Sequence, residues 1–446
     1  MATVNASIGN PLPATTSRAV VDLDAVAHNA HVLAAVGGVP WMAVVKADAY
    51  GHGIAPVAIT CLRAGATWLG VAQLAEALHL RALLDDAGVA RPSRNPDSVP
   101  TSERPRLLCW LLPVLTPDQA AAPGSPLRAA LAAGLDLSVS TRTQLDAIVA
   151  AARAELADSP DAAAAPARIH LKVDTGMSRG GATPADLPAL AAAAKAAEQD
   201  GIIAVVGLWS HLSRADEPAS GSTEKHLSRF LAAERVVAEA ELNPRVRHLA
   251  ATAGLLWHPD TRLDLVRIGI GLYGLSPDPA VATSAALDLV PAMHLEAPLT
   301  QVKRIPAGQA VSYGGTWRAP TDRWLGLVPL GYGDGIPRAA SNGGPVAVNG
   351  LRAAIVGRVC MDQVVIDLGP ATTPEGSPLD PPASPGDIAV LWGVPDAVTP
   401  TADDWAQVCS TINYEIVTRL GARVPRVFTG RDAARIPASP VQETRA

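Results

Sequence analysis

Lys46, Tyr50, Arg179, His211, Thr252 and Arg267 are the residues whose types and spacing could do chemistry in this chain. Lys46 closes an apolar run, Trp41–Val45, and Asp48, Tyr50, Gly51 and Gly53 follow it. A lysine at the end of a buried strand is poorly solvated. Its pKa falls, and the amine becomes a candidate for a Schiff base. Taken alone, Lys46 reads more simply as a solvated strand-end lysine, Arg179 equally as a surface ion-pair partner, and His211 as a hydrogen-bonded strand end. Thr252 alone could cap a helix. Arg267 sits inside an apolar run and needs a buried partner, because an unpaired buried guanidinium is costly.

What makes these residues a set is where they fall. Short apolar runs alternate with helical patterns from residue 18 to about 290. The strand candidates are Trp41–Val45, Thr67–Val71, Leu107–Leu111, Asp136–Val139, Ile169–Val173, Ile203–Trp209, Arg247–Leu249 and Leu265–Ile268. Helix candidates between them include Ala25–Val36 behind an Asp24 cap, Gln73–Asp86, Arg142–Leu156 and Glu224–Glu241. Eight such units predict an N-terminal (β/α)8 TIM barrel in an α/β chain, with an open doubly wound sheet as the alternative. Each chemical residue then lies near or just past the C-terminal end of a strand, the face where barrels carry their sites. Gly269, Gly271 and Gly274 satisfy a GxGxxG pattern, but Ser276-Pro277-Asp278-Pro279 is a poor helix start. Phosphate binding by backbone N–H groups fits better than a dinucleotide.

After about Leu289 helices give way to strand-like runs: Leu299–Ile305, Trp324–Pro329, Pro345–Val348, Leu351–Val356, Gln363–Asp367 and Ile388–Leu391. A helical stretch, Thr401–Leu420, splits around Tyr414, and Arg423–Gly430 reads as a last strand. The expected organisation is a leader at 1–17, a barrel at 18–290, a mainly β C-terminal domain at 291–435 and a tail at 436–446. Segments 89–106 and 157–167 read as surface insertions. A net charge of -6 without basic runs argues against nucleic acid. Interrupted apolar stretches argue against a membrane span, and four scattered cysteines suit a cytoplasmic protein without a metal site.

The segments AVVKADAYGHG, KVDTGMSRGG, SHLSRAD, VRIGIGLYG, VSYGGTW, LGYGDG, GRVCMDQ and TINYEI, in that order, resemble the alanine racemase family over residues 18–430. The resemblance implies a fold type III enzyme dependent on pyridoxal 5'-phosphate (PLP), working as a head-to-tail homodimer with shared active sites. Lys46 would carry PLP and act as one base, and Tyr313 from the partner subunit as the other. Tyr50, Thr252, Gly269, Ile270 and Tyr414 match the phosphate site, and Arg267 the partner of the pyridine nitrogen. His211 matches a residue that hydrogen-bonds the catalytic tyrosine. Arg179 matches the residue holding the phenolic oxygen and the substrate carboxylate, with Met361 meeting that carboxylate from the partner. Lys172 matches a position that can be carbamylated. Asp216, Tyr332, Arg338, Arg358 and Ile412 match the access corridor, which suits a small substrate, alanine before serine. Ala251-Thr252 replaces the Asn-Ser of many relatives but keeps a hydroxyl. The family implies D-alanine supply for peptidoglycan. The competing readings are a broader serine or basic amino-acid racemase, a PLP-dependent decarboxylase, and a non-catalytic PLP-binding protein.

Overall fold

The computed structural model describes residues 16–158 and 165–431. The expected leader and tail, and most of the second insertion, therefore lie outside the described residues. Strand β1 is Arg18–Asp22. Eight strands then form one parallel sheet: β2 Trp41–Val44, β3 Trp68–Gln73, β4 Arg106–Leu111, β5 Asp136–Val139, β6 Ala167–Lys172, β7 Ile203–Trp209, β8 Val246–His248 and β9 Val266–Ile268. All eight expected strands are present with small shifts of their ends. Their order is β8-β7-β6-β5-β4-β3-β2-β9. Strands buried on both faces favour continuous apolar runs, and β2 is buried at every position. Across the β8–β9 seam, Arg247 binds the Asp264 carboxylate through Nε and Nη2 at 2.8 and 3.0 Å, and Arg267 N–H reaches Ala250 O at 3.0 Å.

The C-terminal strands are β10 Met293–Pro298, β11 Gln301–Ile305, β12 Ala310–Val311, β13 Trp317–Arg318, β14 Arg323–Val328, β15 Pro345–Val348, β16 Leu351–Ile355, β17 Val364–Pro370, β18 Ile388–Trp392 and β19 Arg426–Thr429. Most join a nine-stranded sheet, β11-β14-β17-β16-β15-β18-β10-β1-β19. Strand β1 thus pairs with β10 and β19, and not with the barrel that follows it in sequence. Its burial alternates, as a half-covered strand requires, where the first four positions of each of β2 to β6 are all buried. The first described strand belongs to the second sheet, and the chain enters the barrel after it.

Four local expectations change. The first helix is Leu23–Gly37, capped by Asp22 and not Asp24, because the Asp22 carboxylate accepts the N–H groups of Asp24 and Ala25. The run expected as Leu299–Ile305 is strand only from Gln301, and a strand that was not expected, Met293–Pro298, precedes it and ends at a proline, which cannot donate to a ladder. The late helical stretch breaks at Ser410, which is left-handed at φ 54°, so Tyr414 lies inside the helix Asn413–Thr418. Arg106, assigned to the first insertion, opens β4. Its guanidinium is buried and holds the carbonyls of Pro96 and Ser98 at 2.7 and 2.9 Å.

Arg426 of β19 ties the two sheets to the site. Its guanidinium donates to Gly51 O (2.9 Å), Gly421 O (2.8 Å), Val424 O (2.7 Å) and Leu420 O (2.9 Å). A lysine ammonium cannot answer that planar array of carbonyls. We expect Arg426→Lys to lower the free energy of unfolding by about 1–3 kcal/mol in urea titration, the scale of buried carbonyls left unpaired.

Candidate active site

Buried strand β2 delivers Lys46 to the C-terminal mouth of the barrel. The chain then makes a left-handed turn: Ala47, Asp48, Ala49 and Tyr50 have φ between 53° and 55°. Each costs roughly 1–2 kcal/mol for a non-glycine residue, so the turn must be held from outside. The Glu76 carboxylate accepts Asp48 N–H at 3.1 Å, and the Asp48 carboxylate accepts Ile54 N–H at 2.8 Å. The turn brings Tyr50 inward against Tyr273, ring centroids 4.8 Å apart, and the Tyr273 hydroxyl donates to Val44 O at 3.0 Å. Lys46 Nζ lies 5.7 Å from the Tyr50 ring centre. Its pKa is lowered, first by burial and then by the charge of Arg179, against an opposing pull from Glu76.

A cavity of about 450 Å³ opens over these residues. Lys46, Lys172, Arg179 and Arg267 line it, with Asp216 as the one carboxylate, so the space favours an anion. Arg267 is buried, and its donors meet three carbonyls and two imidazoles. Nη1 reaches His248 O (2.9 Å) and His248 Nδ1 (3.2 Å). Nη2 reaches Ser210 O (2.9 Å), Leu249 O (2.9 Å) and His211 Nδ1 (3.1 Å). The expected buried partner is therefore not a carboxylate. Burial pulls the Arg267 pKa down to about 9, which leaves it charged at neutral pH. His211 is held well below its ordinary value by burial and by Arg267. It stays neutral and accepts at Nδ1, so it can act on a tyrosine only by donating from Nε2.

The strand-eight glycines make a close cradle. Gly269 N–H donates to Thr252 Oγ1 at 3.0 Å, and a side-chain carbon on Gly269 would lie 2.7 Å from the Tyr50 hydroxyl. Ile270 opens the 3-10 turn that follows, and Tyr414 reaches in from the C-terminal domain, 6.2 Å from Tyr50 between ring centres. Burial pushes the Tyr50 and Tyr414 pKa values up, so both hydroxyls remain donors.

Five expected residues do not line this cavity: Tyr313, Tyr332, Arg338, Arg358 and Met361. Except for Arg338, they form a neighbouring set. Ser312 Oγ donates to Arg358 O at 2.6 Å, Tyr332 N–H reaches Cys360 O at 2.9 Å, and Gly333 N–H reaches Met361 O at 2.8 Å. Tyr313 is 71% exposed and Met361 54%. The expected bond between His211 and the catalytic tyrosine is therefore not made within one chain.

Residues 21–277 match the alanine racemase N-terminal domain and residues 292–428 its C-terminal domain. The chain belongs to the alanine racemase family. An alanine racemase of Beutenbergia cavernae is 49% identical over 419 residues, 94% of this chain and 99% of the relative. One from Thermobifida fusca is 47% identical over 417 residues, 93% and 98% of the two chains. The crystal structure of alanine racemase from D-cycloserine producing Streptomyces lavendulae superposes with TM-score 0.82 at 43% identity, covering 94% and 99%.

At this candidate site, sequence reasoning overlooked Glu76, Trp110, Trp209 and Ser213. Glu76 supports the lysine turn, and Trp110, Trp209 and Ser213 line the cavity. Trp209 ends β7, and the Lys172 Nζ lies 4.6 Å from its ring centre. A tryptophan at a barrel strand's C-terminal end was the available signal.

Lys172 has its pKa lowered from 10.5 to about 8, chiefly by burial and then by Arg179 and Arg267. Between those values the unfolded chain binds more protons than the folded one. Stability therefore rises with pH across that window, and the penalty is complete below it. In cofactor-free protein, Lys172→Met should stabilise at pH 7, with the gain fading toward pH 10.5. Denaturant midpoints at both pH values check this.

Proposed function

We propose that this chain interconverts L-alanine and D-alanine with PLP as cofactor, by two bases acting on opposite faces of the substrate. The observation that carries the reading is the joint chemistry of the cavity: an amine of lowered pKa and a buried, charged guanidinium line the same space. Lys46 would hold the cofactor's aldehyde carbon. Tyr50, Thr252, Tyr414 and the N–H groups at Gly269 and Ile270 would hold its phosphate. Arg179 would hold its phenolic oxygen and Arg267 its ring nitrogen. When bound, PLP supplies an electron sink that acidifies the substrate Cα–H. A permanently charged donor at Arg267 keeps the ring nitrogen unprotonated, which weakens that sink and disfavours amino-group transfer.

Lys46 Nζ takes the Cα proton from D-alanine and returns it in the other direction. Tyr313 Oη, from the partner subunit of a head-to-tail homodimer, does the same for L-alanine. Residues 18–290, joined by Tyr414, would hold the cofactor, and residues 291–435 of the partner would supply Tyr313 and Met361, whose N–H would meet the substrate carboxylate beside Arg179. Asp216, Tyr332, Arg338, Arg358 and Ile412 form the corridor that admits small amino acids. Lys172, with its lowered pKa, is set to add carbon dioxide as a carbamate, releasing a proton and facing Arg179 with an anion. A cytoplasmic role supplying D-alanine to peptidoglycan accords with four unpaired cysteines and with the lack of any described helix long and apolar enough to cross a membrane.

Two measurements test this reading. Borohydride reduction should fix PLP on Lys46 in a peptide map, and Tyr313→Phe should lose turnover from L-alanine while keeping the PLP absorbance. Unchanged racemisation by that variant would sink the two-base assignment. Mixing Lys46→Ala with Tyr313→Phe chains in equal amounts should restore about a quarter of wild-type activity. Half of the dimers are then mixed, and each mixed dimer has one intact site of two.

A further inference from the structure

Barrel interiors are ordinarily filled by branched aliphatic side chains. Here a file of polar side chains descends from Arg267 to the opposite end. Arg267 Nη1 lies 3.2 Å from His248 Nδ1, and His248 Nε2 lies 3.0 Å from His170 Nδ1. His170 Nε2 lies 3.4 Å from Asp136 Oδ2, and Asp136 Oδ1 accepts from Arg168 Nε at 2.6 Å. Asp136, His170 and His248 are fully buried, with Arg168 and Arg267 at 5% and 4% exposure. The packing is fitted to these rings. Trp209 stacks on His248 with centroids 5.4 Å apart and planes 2° from parallel, and Trp68 meets His170 edge-on at 5.3 Å. A side-chain carbon at Gly207 would overlap the His170 ring.

A guanidinium has donors and no acceptor. Arg267 therefore requires an acceptor at His248 Nδ1, which puts the His248 proton on Nε2. His170 must then accept at Nδ1 and carry its own proton on Nε2, where it points at a carboxylate. Every hydrogen bond in the file runs from Arg267 toward Asp136. Burial lowers the pKa values of both imidazoles, which keeps them neutral, although Asp136 pulls His170 the other way. Burial would raise the Asp136 pKa, but Arg168, His170 and Arg106 outweigh it and hold the group ionised.

We propose that Asp136, at the N-terminal end of the barrel, is a positioning residue for Arg267. Through His170 and His248 it fixes the direction of the hydrogen-bond file, and so fixes how Arg267 meets the cofactor's ring nitrogen. The last clause rests on the PLP reading; the file itself belongs to the polypeptide. Asp136→Asn provides the discriminating change. The short bond from Arg168 keeps the amide oxygen on that side, so the amide N–H₂ faces His170 Nε2. His170 then accepts at Nε2 and donates from Nδ1, and His248 accepts at Nε2 and carries its proton on Nδ1. That proton confronts Arg267 Nη1–H, donor against donor, and Arg267 must shift.

Long-range ¹H–¹⁵N spectra of labelled protein, with and without PLP, read the two imidazoles directly. The expected wild-type pattern is neutral rings protonated on Nε2 at both His170 and His248. Asp136→Asn should move both protons to Nδ1. A wild-type Nδ1–H or doubly protonated ring, or unchanged tautomers in the variant, overturns the proposal. In the PLP-loaded enzyme, Asp136→Asn should lower kcat roughly tenfold or more, the scale of a misplaced catalytic group, with little change in KM. It should also raise the pyruvate released per racemisation, as alanine passes its nitrogen to the cofactor. His248→Asn keeps an acceptor for Arg267 but cuts the link to His170, so adding Asp136→Asn to it should cost nothing further. An undiminished second loss overturns the relay. Should Asp136→Asn not fold, the wild-type spectrum still decides. A correct tautomer pattern in a chain that never binds PLP would instead refute the functional reading alone.

Discussion

A buried guanidinium that keeps its charge obliges its surroundings to consist of acceptors. Arg267 is that group here, and much of the barrel's upper half is arranged to meet it. Its donors take carbonyls from Ser210, His248 and Leu249. These lie at the ends of β7 and β8, so the chain segments that carry His211 and Thr252 are anchored to β9 by one side chain. The same donors set His211 and His248 as neutral acceptors at Nδ1. Had a carboxylate stood beside Arg267, the pair would have been neutral and the cavity would lose much of its pull on an anion. Acceptors that are dipoles and not charges satisfy the hydrogen bonds and leave the positive field directed at the cavity.

That field acts on Lys46. Burial and the neighbouring cations both disfavour the ammonium form. Glu76 opposes them while supporting the left-handed turn through Asp48 N–H. One carboxylate thus supports the strained backbone and tempers the amine. The strain is concentrated immediately after the lysine, where it turns Tyr50 back over the strand toward Gly269. An ordinary right-handed continuation would carry Tyr50 away from that cradle.

Much of this was legible in the sequence because the site is built from strand ends. Strand ends announce themselves as polar or glycine-rich breaks after apolar runs, and all eight barrel strands could be found that way. The chain has five tyrosines, and four of them were assigned to the site from their motifs; the fifth, Tyr273, packs beneath Tyr50. What stayed hidden has no local signature. Strand β1 pairs with segments more than 270 residues away in sequence, and only its alternating pattern hints that it lies outside the barrel. Asp136, His170 and His248 are buried polar residues on three different strands, each with other polar residues in its own strand. They become a file only through parallel register, which sets Ser138 beside His170 and Trp209 beside His248. A polar residue inside a fully buried strand is the signal that could have pointed to them, since such a group must find a partner.

The proposed division of the site between two chains would follow from which surfaces are finished. The barrel contributes a cavity whose cations, cradle and lysine are already held by internal contacts. The residues that would face it from the other side are exposed in side chain: Tyr313 at 71%, Met361 at 54% and Tyr332 at 42%, and Ile412 at the cavity itself is 60% exposed. Large apolar groups gathered in one region of a surface mark an interaction site, where scattered ones need no explanation. Ile412 links the two sets, because it lines the cavity while remaining exposed. A second copy placed head to tail would cover Ile412 with the region that carries Tyr313 and bury apolar surface on both chains. The same closure would exclude water from Lys46 and strengthen every charge interaction already set in the cavity. Assembly and catalysis would then draw on one apolar contact, and a substitution that loosens it would weaken the dimer and the chemistry together.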